Sequence, residues 1–160
     1  MLQVEEEEEE PTLNYLYNQG QYQSNWVAGL NNAGTYVVVS QSYGTDHLLT
    51  NVTSNDDYTV PHAEWTTNNT VDLTSINTIY FEFEVNSAIN AIYLIAATTK
   101  TTTSYSTSYY INGSTCLDNQ KVTYSLNVSS LTGSYYVRFF VGTVALGGTG
   151  TAKLYRVWME

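Results

Sequence analysis

The chain has 160 residues, of which 42% are hydrophobic and only 12% charged, and its formal net charge is -10. A chain this acidic has no basic stripe with which to displace counterions, so nucleic acid is excluded as a partner, and attraction to anionic lipid is excluded for the same reason. No apolar run approaches the roughly 20 residues of a membrane helix, and Cys116, the only cysteine, rules out an internal disulfide framework and a thiolate metal site.

The length suits one folded unit. The low charge is made up by Thr, Ser, Asn, Gln and 15 Tyr. Thr and Tyr favour strands, and Asn, Ser and Gly favour turns. Helix formers are scarce outside the first residues, so an all-β body is expected. Its surface suits a neutral ligand such as a glycan, or a protein partner.

Residues 1–12 stand apart. Met1-Leu2-Gln3-Val4 leads into acids, which is not the pattern of a secretory leader. Glu5, Glu6, Glu7, Glu8, Glu9 and Glu10 hold six of the 15 acids, and the remaining nine against five bases leave the body at -4. Such a run repels itself and buries no apolar area, so it is expected to be solvated unless a basic partner meets it. Pro11 marks the boundary between this arm and a folded body over 13–160.

The body opens with Asn14-Tyr15-Leu16-Tyr17-Asn18-Gln19-Gly20 and Trp26-Val27-Ala28-Gly29-Leu30, followed by a turn at Asn31-Asn32-Ala33-Gly34. Strands are expected over 35–40 and 46–52, with a turn at Ser42-Tyr43-Gly44-Thr45 and a loop around Asn55-Asp56-Asp57. Residues 59–65 read as a short edge strand interrupted by Pro61. Ile79, Phe81, Phe83 and Val85 alternate with Tyr80, Glu82 and Glu84, the period of a strand with one dry face and one wet face. After a turn over 86–90, Ile92, Leu94 and Ala96 keep that period. The run 100–110 reads as an exposed strand pair or a long loop. Val122, Tyr124, Leu126 and Val128 alternate next, and Val137, Phe139 and Val141 alternate with Tyr136, Arg138 and Phe140. A glycine-rich stretch over 142–150 leads to a closing strand over 151–159.

About ten short strands separated by turns are the pattern of a β-sandwich or barrel. Residues 79–85 with 92–97, and 122–128 with 135–141, are each expected to form a hairpin. With the closing strand returning beside the N-terminal segment, the expected fold is a jelly-roll β-sandwich of two antiparallel sheets carrying a short acidic arm.

Candidate ligand contacts follow from side-chain chemistry. Trp26 and Trp158 read as packing residues. Trp65, beside His62 in a polar stretch, is the expected exposed platform for a sugar ring. Tyr105, Tyr109 and Tyr110, set in a Ser/Thr run, supply adaptable binding surface. Asn55-Asp56-Asp57 lacks the spacing of a calcium loop and reads as a polar turn. His47 has no partner at metal spacing. Glu82 and Glu84 share one wet strand face instead of spanning a cleft, so they do not read as a hydrolytic pair. No nucleophile elbow, phosphate-binding glycine loop or ligand cluster is present in the pattern, so no catalysis, cofactor or metal is expected.

Three segments carry a resemblance: 14–20 with Trp26-Val27-Ala28; the stretch 71–85, reading Val-Asp-Leu-Thr and then the long strand; and Ala152-Lys153-Leu154-Tyr155-Arg156-Val157-Trp158-Met159-Glu160. Together they frame 14–160, and in order and spacing they resemble a module of phage minor structural and tail-fibre proteins of Gram-positive hosts. The resemblance implies a jelly-roll module of the galactose-binding type on a virion surface, as a capsid decoration, fibre or receptor-binding component that adheres to host carbohydrate. The acidic arm would then dock to other virion proteins. Self-association, with a homotrimer first, would cover strand edges. Two alternatives stand beside it: a carbohydrate-binding module of a secreted bacterial protein, and an architectural virion protein without a ligand.

Overall fold

The computed structural model describes residues 13–31, 37–54, 62–100, 106–116, 118–143 and 148–160. Among them the chain forms β1 (Asn14–Asn18), β2 (Trp26–Asn31), β3 (Val37–Tyr43), β4 (Leu48–Ser54), β5 (His62–Thr67), β6 (Val71–Asp72), β7 (Thr78–Val85), β8 (Ile89–Ala97), β9 (Thr107–Asn112), β10 (Val122–Asn127), β11 (Ser134–Thr143) and β12 (Thr149–Met159). Two single-turn 3-10 segments, Gln23–Asn25 and Gly113–Thr115, join strands.

The strands make two six-stranded antiparallel sheets. The first, sheet A, runs β10-β7-β12-β4-β3, with β1 beside the C-terminal half of β12. The second, sheet B, runs β2-β5-β11-β8-β9, with β6 beside the start of β11. The expected two-sheet all-β sandwich is therefore present, and its closing strand lies beside the N-terminal one, Asn14 opposite Met159.

Neither expected hairpin forms. β7 pairs with β10 and β12, whereas β8 pairs with β11 and β9 in the other sheet. Likewise β10 lies in sheet A and β11 in sheet B. Period-two alternation fixes which face of a strand is dry, but it does not choose the partner. In a sandwich, consecutive strands can instead pass from one sheet to the other. The two sheets meet face to face across the core, where Phe139 of β11 lies 5.1 Å from Phe83 and 6.4 Å from Phe81 of β7. β5 also departs from expectation. Over His62–Thr67 it is flanked by β2 and β11, so it is an interior strand and not an edge, while Pro61 lies outside the described residues.

The core between the sheets is mainly apolar, with Thr50 and Ser54 of β4 buried in phase with Leu48 and Val52. Leu48, Val52, Ile79, Phe81, Phe83, Ile92, Leu94, Val137, Phe139, Val141, Leu154 and Val157 are fully buried or nearly so. Trp26 is buried as expected, and its Nε1 donates to the Leu16 carbonyl at 3.0 Å. β12 keeps its inward phase through a bulge: Leu154 pairs with Phe83 and Arg156 with Glu82, leaving Tyr155 as the extra residue. The bulge lets Leu154 and Val157 both point inward although they are three apart. Gly20 sits at φ +87, where an L side chain is strained, and a Cβ there would collide with the Thr45 carbonyl.

Candidate functional site

Trp65 is not an exposed platform. It is 2% exposed, within the core, with its ring 5.2 Å from that of Tyr43. Its polar sequence neighbours do not wet it, because β5 alternates: His62, Glu64 and Thr66 point to the outer face of sheet B, and Ala63 and Trp65 point inward. Trp158 is corrected in the opposite sense. It is half-buried on the outer face of sheet A, where Tyr80 stacks on it at 5.2 Å and 12° and Tyr15 lies at 6.4 Å.

The outer face of sheet B carries a row of rings drawn from four neighbouring strands. His62 of β5 stacks on Phe140 of β11 at 5.2 Å and 26°. Phe140 meets Tyr93 of β8 nearly edge-on at 5.5 Å and 80°, and Tyr93 meets Tyr110 of β9 at 5.1 Å and 46°. Phe140 is directly opposite Tyr93, and Tyr93 opposite Tyr110. His62 is opposite Gly142, which has no side chain, and its ring leans diagonally onto Phe140. At about 4.8 Å between strands the row spans about 15 Å. Tyr110 is 51% exposed, and His62, Phe140 and Tyr93 are half-buried.

The same face has a charged and buried centre. Arg138 and Glu64 form an ion pair at 2.7 Å with exposures of 2% and 0%. Gly29 makes room for it, since a Cβ there would lie 2.7 Å from Glu64 Oε1. Further along β11, Lys100 sits 5.2 Å over the ring of Tyr136. Rings held in place by neighbouring rings present C–H and π surface with little rotamer entropy left to lose, which suits a flat neutral ligand.

Of the sequence-predicted contacts, His62 and Tyr110 are therefore brought onto one surface. Tyr109 points to the other side of β9, with its ring 6.5 Å from Tyr124. Tyr105, the run Glu5–Glu10 and Asn55-Asp56-Asp57 lie outside the described residues. Sequence reasoning misses Phe140 and Tyr93 as contacts. Their signal lies in the alternation, because each sits between inward apolar neighbours (Phe139 and Val141, Ile92 and Leu94) and so has to face out.

Sheet A presents a different outer surface, laced with ion pairs. Lys153 meets Glu84 at 2.7 Å, and Arg156 lies 3.8 Å from Glu82. The two carboxylates that the alternation places on a wet face are thus each beside a cation. Tyr155 donates to Glu84 at 3.1 Å, and burial, reinforced by the negative charge of Glu84, pushes its phenol up to about 12. Asp46 is held below the usual carboxylate range by its hydrogen bond to His47. Among the described residues, no group of three or more His, Cys, Asp or Glu is placed to hold a metal ion.

No family model matches this chain, and none of the curated proteins does. Solved structures do resemble it. A carbohydrate-binding module of the β-sandwich superfamily, described for promiscuous specificity, superimposes with a TM-score of 0.65 at 18% identity, covering 92% of this chain and 62% of that one. The chain thus spans less than two thirds of that structure. A family 11 carbohydrate-binding module from Clostridium thermocellum, in complex with a β-1,3-1,4-mixed-linked tetrasaccharide, gives a TM-score of 0.55 at 13% identity and covers 91% of this chain and 94% of its own. The enzymatically active domain of tailspike protein 4 from bacteriophage CBA120 gives 0.51 at 15% identity over 89% of this chain and 21% of that one. At these identities the likeness is one of fold: the chain has the β-sandwich of carbohydrate-binding modules.

Proposed function

We propose that this protein is a non-catalytic carbohydrate-binding module whose binding surface is the His62–Phe140–Tyr93–Tyr110 row. The row itself carries the reading: four rings from four adjacent strands, each braced by the next, on the outer face of one sheet. Pyranose rings offer flat C–H faces that such a row can accept one after another. The carbohydrate-binding modules that share the fold support this reading, as does the small net charge of the body, which suits a neutral ligand.

The test is a glycan array probed with the full chain and with its Tyr93→Ala and Tyr110→Ala variants. Saturable binding to a sugar class, weakened about tenfold or more by either variant while the melting temperature holds, is the expected result. Binding unchanged by both variants, or no binding by the folded protein, overturns the assignment of the row.

The site on which the module works is proposed as the surface of a phage particle. The resemblance of 14–20 with 26–28, 71–85 and 152–160 to phage structural modules supports this, as does the likeness of the fold to about a fifth of a phage tailspike domain. In this reading the Glu5–Glu10 arm docks on basic virion proteins and the chain assembles as a homotrimer. Sedimentation of the full chain and of residues 13–160 tests it: a trimer is expected for both, with the arm needed only for capture by the particle. A monomer at all concentrations favours a module of a secreted bacterial protein.

A further inference from the structure

A second surface is built differently from the row on sheet B. Among the described residues, β10 is an edge strand of sheet A and β9 an edge strand of sheet B, and Tyr109 of β9 approaches Tyr124 of β10 at this margin. Along β10 runs a cleft of about 390 Å³ lined by Tyr80, Tyr109, Thr123, Tyr124, Ser125 and Asn127. That volume falls within the range of about 300–1,000 Å³ typical of small-ligand sites.

The lining has three chemical features. It holds no charged side chain. Two of its three rings are braced from behind: Tyr124 stacks on buried Phe83 at 5.9 Å and 20°, and Tyr80 stacks on Trp158 at 5.2 Å and 12°. Its polar groups are hydroxyls and one amide. Asn127 Oδ1 accepts from Ser129 N at 3.0 Å and Ser129 Oγ at 2.8 Å, which fixes the side-chain amide and turns its NH2 group toward donation elsewhere. As an edge strand, β10 also offers alternate backbone N–H and C=O groups outside the ladder.

We propose that this cleft is a second binding site, for a neutral saccharide unit, independent of the row on sheet B. Fixed rings supply stacking surface, and short hydroxyl and amide groups supply donors and acceptors that match a ring of hydroxyls without a net charge to compensate. An added peptide strand would use the same edge, but it would need apolar pockets for alternate side chains. Here the outward positions of β10 are Thr123, Ser125 and Asn127, all exposed and polar.

The experiment is a titration of the isotope-labelled full chain, followed by NMR at assigned backbone amides, with neutral tetrasaccharides of mixed-linked β-glucan, mannan and galactan. The expected result is a set of shifts at Ser125 and Asn127 that saturates with at least one of them. Ser125→Arg, on an exposed position that the fold does not need, should weaken this set about tenfold or more while leaving any shifts at Tyr93 and Tyr110 in place. Tyr109→Ala should weaken it as well. The proposal is overturned if no tetrasaccharide moves the cleft amides at millimolar concentration, or if Ser125→Arg leaves their saturation unchanged. It is equally overturned if those amides respond to protein concentration and not to sugar, which would make the edge a contact between copies. Cleft shifts without row shifts would support this site while removing the row from the first proposal.

Discussion

Arg138 donates from Nε at 2.9 Å and from Nη2 at 2.7 Å to the same carboxylate oxygen of Glu64. Both side chains are out of water, so the attraction between them is little screened. Breaking a buried ion pair by removing one member costs about 3–5 kcal/mol. Arg138→Met is therefore expected to lower the urea midpoint sharply. The double variant Glu64→Leu/Arg138→Met is expected to recover much of that loss, because the desolvation cost of both ions disappears with them. Equilibrium denaturation of the two variants checks both.

The two faces of the sandwich predict opposite consequences for aromatic truncation. Phe139 is 1% exposed and meets Phe81 and Phe83 across the core. Phe139→Ala should destabilise the fold by about 3–5 kcal/mol. Trp158, half-buried on an outer face, loses mainly its stack with Tyr80, worth about 0.5–1.5 kcal/mol beyond area. Trp158→Ala should thus cost clearly less than Phe139→Ala, and Trp65→Ala should behave like the core change. Denaturant midpoints rank the three.

Alkaline stability should carry a mark of Tyr155. Its phenol is held protonated up to about 12 in the fold, against an ordinary value of 10.0. Between those values the unfolded chain loses this proton and the folded chain keeps it, so stability falls as pH rises through that window and the contribution is intact below it. Tyr155→Phe should flatten the fall between pH 10 and 12 relative to the unaltered protein. Melting temperatures across that range for both proteins measure the difference.

Two glycines predict two grades of cost. Gly133 sits at φ +94 with open space within 4 Å of where a Cβ would stand, so Gly133→Ala incurs only the left-handed backbone penalty, about 1–2 kcal/mol. Gly113 has an ordinary φ, but a Cβ there would collide with the Ile89 carbonyl of β8. Gly113→Ala must move backbone and should lose more stability than Gly133→Ala, as read by urea midpoints.

The sandwich was legible because alternation is local. Ile79, Phe81, Phe83 and Val85 each declare the dry face of β7 whatever strand lies beside them, and the buried pattern follows them. Partner choice is a long-range property, and nothing within 79–97 says that β7 and β8 belong to different sheets. The same distinction governs the ring row. Phe140 and Tyr93 could be placed on an outer face from their neighbours, but their adjacency depends on β11 pairing with β8. Trp65 shows the reverse error: polar neighbours in sequence do not wet a residue when β5 is an interior strand whose alternate side chains face opposite ways.

The pairing of Asn14 with Met159 brings the two ends of the described fold side by side on sheet A, whereas the ring row lies on the outer face of sheet B. The molecule is therefore handled from one point and presented from the opposite side. Chain entering at Asn14 and chain leaving at Met159 meet the fold at the same place, so the module can be spliced as a cassette into a loop of a larger scaffold without turning its ring-bearing face away from solvent. For the same reason a short peptide bridge between Asn14 and Met159, with new ends opened at an exposed turn such as Ser129-Ser130, should give a circular permutant with the same two sheets.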